Sequence, residues 1–89
     1  MSATLDHTMM RVTDLDASLS WYTEYLGYEE VGRWEADTFT NVFLQAPGSH
    51  DAGAALELTY NHDGRSYTMG DAWGHIAVRV EDVYDAYEE

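Results

Sequence analysis

The chain contains no cysteine and no lysine. Without thiols there are no disulfide staples, no thiolate nucleophile and no cysteine-based metal site. Without lysine, four arginines stand against 17 aspartates and glutamates, for a formal net charge of −13. That balance excludes nucleic acid as a partner, because binding to phosphate rests on cationic contacts. Also lacking are an apolar run of membrane-spanning length and a basic-then-apolar N-terminal segment. The expectation is a cytoplasmic protein with no membrane contact. Hydrophobic residues make up 45% of the chain, and the acids are spread along it rather than gathered in a tail. The expectation is a folded protein adapted to high salt, in which carboxylates keep the surface solvated and counterions screen their repulsion, with a merely acidic mesophilic protein as the alternative. A length of 89 residues allows one small domain, with a core that is marginal without a partner, a metal or a second module.

What the sequence does have is an internal echo. His7-Thr8-Met9-Met10-Arg11-Val12-Thr13-Asp14-Leu15 returns in outline as His75-Ile76-Ala77-Val78-Arg79-Val80-Glu81-Asp82-Val83, with His, Arg, Val and Asp in register. A repeat of this kind marks a supersecondary unit that needs a neighbour to bury its apolar face. The second copy begins close to Glu89, so the 89 residues read as one module and the opening of another.

Leu5–Val12 alternates as a strand does, with His7, Met9 and Arg11 on one side and Thr8, Met10 and Val12 on the other. Asp14 or Asp16 can cap a helix that runs through Leu15, Leu19, Tyr22 and Leu26 and ends at Gly27. Tyr28–Glu35 and Thr38–Gln45 predict two strands joined by a tight turn, 46–53 a loop, and Ala54–Tyr60 a further alternating strand. Gly74–Val80 predicts a second copy of the first strand, with Asp82 capping a second helix. The expected organisation is a first βαβββ module over residues 1–60, a polar connector over 61–73, and the start of a second module over 74–89.

Three polar residues sit mid-strand on the face opposite the aliphatic side chains: His7, Glu57 and His75. Taken singly, each reads as an ordinary solvent-facing residue of a half-buried sheet. The repeat changes the balance. His7 and His75 occupy equivalent places, so pseudo-symmetric packing of modules draws them toward a common axis. Imidazole and carboxylate donors of this kind suit a divalent first-row metal.

The segments His7–Val12, Trp21-Tyr22-Thr23-Glu24-Tyr25-Leu26-Gly27, Leu56-Glu57-Leu58-Thr59-Tyr60-Asn61 and Gly74-His75-Ile76-Ala77-Val78 resemble glyoxalase I (lactoylglutathione lyase), of the vicinal oxygen chelate superfamily. The resemblance spans essentially the whole chain. It implies an α+β fold of paired βαβββ modules and a metal-dependent enzyme. That enzyme isomerises the hemithioacetal of methylglyoxal and a small thiol, glutathione or an analogue, to the S-lactoyl thioester. It implies His7 and Glu57 as metal ligands from the first module and His75 as a ligand from the second. Glu57 is also implied as the catalytic base, with Arg11 and Asn61 holding the carboxylate end of the thiol. The short connector resembles the nickel- or cobalt-activated branch more than the zinc-type enzymes. Because the family builds its site between modules of different subunits, a homodimer with a shared site is implied. The chemistry needs a metal to make the hemithioacetal C–H acidic and a carboxylate to move the proton between neighbouring carbons.

One departure matters. The family's fourth ligand, a glutamate near the end of the second module, has no counterpart in these 89 residues. Two other readings therefore stand beside the enzyme: a truncated glyoxalase-like chain that catalyses nothing, and a superfamily member that only sequesters a small molecule. An extradiol dioxygenase shares the ligand types but lacks support from the Leu-Thr-Tyr-Asn segment. His50 and His62 read as exposed. Trp34, Phe39 and Phe43 read as core or as walls of an apolar pocket, and Arg79 as an ion-pairing residue.

Overall fold

A computed structural model describes residues 3–47, 54–79 and 81–82. The first module has the expected order, and each element follows from its sequence. Strand β1 covers His7–Arg11. Helix α1 covers Leu15–Ser20 and continues as a wider π-helical turn over Trp21–Tyr25. Strands β2, β3 and β4 cover Glu29–Glu35, Phe39–Gln45 and Ala55–Asn61.

Asp14 is the residue that caps α1: its backbone is extended, and its carboxylate accepts from the Ala17 N–H at 3.0 Å. The helix changes pitch at Trp21, where the Leu26 N–H donates to the Trp21 carbonyl at 3.2 Å. Beside this change the Thr23 hydroxyl donates to the Leu19 carbonyl at 2.7 Å. That carbonyl is the acceptor an unbroken α-helix would give to the Thr23 N–H, so the side chain competes with the backbone there. Gly27 ends the segment with φ of 75°, the left-handed turn that favours glycine.

The four strands form one sheet in the order β1-β4-β3-β2. Strands β1 and β4 run parallel, which α1, β2 and β3 make possible by carrying the chain across between them. The β2–β3 and β3–β4 pairs are antiparallel, and the β2–β3 register shifts between Glu30 and Gly32. One face holds the core: Val42 opposite Leu58 and Leu44 opposite Leu56, all buried. Met10 and Val12 of the β1 segment pack on this cluster, as do Leu15, Leu19 and Tyr22 of the helical segment and Tyr28. The period-2 and helical patterns of the sequence thus meet on one apolar layer.

Among the described residues, 74–79, the strand expected over Gly74–Val80 is not found. Residues 73–79 run without strand pairing and are exposed throughout. A strand exists only through a ladder, and β1 already gives one edge to β4 while no other described strand lies beside 73–79. Instead Ile76 and Val78 border a groove with Tyr22, Tyr28 and Leu56. The helix expected after Asp82 falls outside the described residues, as do Val80, His50 and most of the 46–53 loop.

Candidate functional site

The face of the sheet opposite the core is polar and open. Alternation along β1 puts His7, Met9 and Arg11 on it, and the parallel register sets Met9 beside Glu57 and Arg11 beside Thr59. From the other side, β3 brings Phe43 opposite Glu57 and Asn41 opposite Thr59. His7 and Glu57 therefore converge across the β1–β4 boundary, with His7 Nε2 3.2 Å from Glu57 Oε1. Glu57 is mostly shielded, its side chain 12% exposed against 39% for His7. The Phe43 ring stands edge-on to the imidazole, with centroids 5.4 Å apart.

Further groups lie behind this pair. Asp6 Oδ2 is 2.6 Å from His7 Nδ1. That hydrogen bond is the main reason the imidazole pKa is raised above its ordinary value, and the Glu57 charge adds to it. The buried Thr59 hydroxyl lies 2.9 Å from Asn41 Oδ1 and 3.3 Å from Glu57 Oε2, and its single proton serves one acceptor at a time.

Arg11 and Asn61 sit toward the far end of the same strands. Asn61 Nδ2 donates to the Tyr67 hydroxyl at 2.7 Å, which folds the connector back over the end of β4. Arg11 then borders a cavity of about 240 Å³ with Met9, Met10, Tyr67, Thr68, Met69 and Trp73. A guanidinium at the rim of an apolar hollow suits a ligand with a carboxylate at one end.

His75 is exposed on the 73–79 segment. Among the described residues, no group of three or more His, Asp or Glu side chains converges as a metal site. The chain thus brings His7 and Glu57 together and leaves His75 apart from them. His62 is exposed, as its sequence implies, yet its ring is held in place. Its Nε2 lies 2.9 Å from Thr40 Oγ1 and its Nδ1 3.2 Å from the Asp37 carbonyl, so the ring ties the β2–β3 turn to the end of β4. Sequence reasoning also passed over Asp6, Asn41, Thr59 and Tyr67. Asp6 directly precedes a candidate ligand and Thr59 follows Glu57 at the same-face spacing of two, so those two carried a local signal; Asn41 and Tyr67 carried none.

The donor set of an imidazole nitrogen and a carboxylate, 3.2 Å apart on an open face, fits a divalent cation held by nitrogen and oxygen. Set beside known proteins, residues 4–89 match the model of the Glyoxalase/Bleomycin resistance protein/Dioxygenase superfamily. The chain is 42% identical over 84 residues to a lactoylglutathione lyase of Neisseria meningitidis, covering 92% of this chain and 60% of that protein. Its structure is similar to the trypanothione-dependent glyoxalase I of Leishmania major, with TM-score 0.85, 43% identity, and coverage of 98% of this chain and 63% of that one. Glyoxalase I from Zea mays matches with TM-score 0.83 and 35% identity, over 94% of this chain and 30% of that one. The chain spans 57% to 60% of the length of the bacterial relatives it matches at 42% identity. The fold, the strand segments that carry His7 and Glu57, and these likenesses agree: this chain belongs to the glyoxalase/bleomycin resistance protein/dioxygenase superfamily.

Proposed function

We propose that this chain carries the first-module half of a lactoylglutathione lyase site, acting on the hemithioacetal of methylglyoxal and a small thiol. The observation that carries the reading is the approach of His7 Nε2 to Glu57 Oε1 at 3.2 Å on the open face of the sheet. His7 and Glu57 hold the metal, nickel or cobalt in preference to zinc. His75 adds a third ligand from the second module of another copy, so a homodimer shares two sites. The bound metal supplies the positive charge that stabilises the negative charge developing on the substrate oxygens. Glu57 takes the proton from one carbon and returns it to the next. Its shielded position on β4, beside Phe43 of β3, limits competition from water. Arg11 pairs with the carboxylate end of the thiol, and Asn61 contributes its amide oxygen and remaining N–H while Tyr67 holds it in place.

The test is hemithioacetal isomerisation by the purified chain in molar KCl, with nickel supplied and then removed by chelator. Turnover that follows the metal supports the proposal. A chain that binds nickel tightly as a dimer and turns nothing over contradicts it. That second outcome belongs to the reading of a non-catalytic chain. One observation favours that alternative: among the described residues, no third His, Asp or Glu converges with His7 and Glu57 as a metal site.

A further inference from the structure

A neutral imidazole has one ring proton, and which nitrogen carries it decides which nitrogen can bind a metal. Two carboxylates face the ring of His7: Asp6 at 2.6 Å from Nδ1 and Glu57 at 3.2 Å from Nε2. They compete for that proton, and the shorter contact is with Asp6. We propose that Asp6 is a positioning residue that fixes His7 in its Nδ1–H tautomer, with the Nε2 lone pair turned to the Glu57 side. The use of that lone pair for a metal rests on the function proposed above, whereas the orientation of the ring does not.

Asp6 can do this although its side chain is 93% exposed, because its backbone is fixed. Its carbonyl accepts from the Ala55 N–H at 2.9 Å, extending the β1–β4 ladder by one rung. The carboxylate therefore starts from a point set by the sheet. Phe43, standing at 89° to the imidazole, bounds the ring from a second direction. A ligand histidine backed by a carboxylate is more basic and loses less freedom on binding, and removing such a partner costs roughly 10- to 100-fold in metal affinity. The exposure of Asp6 places the effect here at the lower end, about tenfold.

Long-range proton–nitrogen correlation spectra of the metal-free full chain, at a pH where the ring is neutral, read the tautomer directly. The wild type shows Nδ1–H. Asp6→Ala shifts the ring toward Nε2–H, with Glu57 as the acceptor, and Asp6→Asn restores Nδ1–H because its amide oxygen still accepts. Nickel titration then finds affinity weakened about tenfold in Asp6→Ala and largely recovered in Asp6→Asn. Melting temperatures of both variants stay at the wild-type value, since an exposed side chain is changed. An Asp6→Ala ring that remains Nδ1–H overturns the proposal, as does unchanged nickel affinity in that variant. If the wild type takes up no nickel while the tautomer still follows Asp6, the positioning role stands and the metal-site reading falls.

Discussion

At the scale of residues, a histidine and a glutamate held by different strands meet on one face of the sheet. Glu57→Gln keeps the shape of the side chain and removes its basicity. Turnover is expected to fall by about 10²- to 10⁴-fold, the span of a lost general base, while the melting temperature stays within a few degrees. Unaltered turnover in this variant would remove Glu57 from the chemistry. Thr59→Val tests the support behind it. The loss of one buried hydrogen bond should cost about 1 kcal/mol of stability, read from denaturant midpoints, and should loosen nickel binding as Glu57 gains freedom. Strand alternation put His7, Arg11 and Glu57 on the polar faces of their strands, whereas Asn61 read as the start of the connector and, like the role of Arg11, came from the resemblance alone. The contact between Asn41 and Thr59 was not legible. It exists only because the β3–β4 register sets those positions opposite each other, and register is fixed by packing that no local pattern states.

At the scale of elements, the sequence showed most of the first module. Alternation marked β1 and β4, apolar spacing marked α1, and Gly27 marked its end. The change to a π turn at Trp21–Tyr25 was hidden, since the apolar spacing runs through it unbroken and the Thr23 hydroxyl bond beside it leaves no mark in the pattern. The missing strand at 74–79 has a different cause. Its residues alternate as well as those of β1, but a pattern can only prepare a strand, and pairing makes one. Helix α1 depends on its cap: Asp14→Ala should lower stability by about 1 kcal/mol, measured by thermal or denaturant unfolding, and a neutral result would show that the cap is dispensable. Strand β2 has its own pH signature. Arg33 donates to Glu30 through two nitrogens, and that bonding holds the Glu30 carboxyl below its ordinary value. A carboxyl lowered in the folded state adds stability above its unfolded pKa and loses it as pH falls through the folded one. The pair is exposed, so the contribution is small. Arg33→Gln should flatten the decline in melting temperature on acidification without changing the neutral-pH value by more than a few degrees.

At the scale of the whole molecule, a net charge of −13 meets a small core and exposed apolar side chains at Trp73, Ile76 and Val78. Charge repels copies of the chain from one another, and apolar surface draws them together. Salt decides the balance by screening the first without weakening the second. Sedimentation should therefore find dimers in molar KCl that dissociate on desalting; a monomer indifferent to salt would contradict the shared-site model. The charge was readable at once from composition. The place of His75 in the proposed shared site was not, because such a site depends on contacts between copies of the chain that no local pattern states.

A mixture of two inactive variants reaches that question most directly. His7→Ala and His75→Ala each remove one donor, and each homodimer should be inactive with nickel. If the site is built between subunits, a mixed dimer restores one intact site, with His7 and Glu57 from one chain and His75 from the other. Random mixing should return about a quarter of wild-type turnover, since half the dimers are mixed and each carries one working site of two. A mixture as inactive as its components, beside an active wild type, would show that the site is not shared in this way.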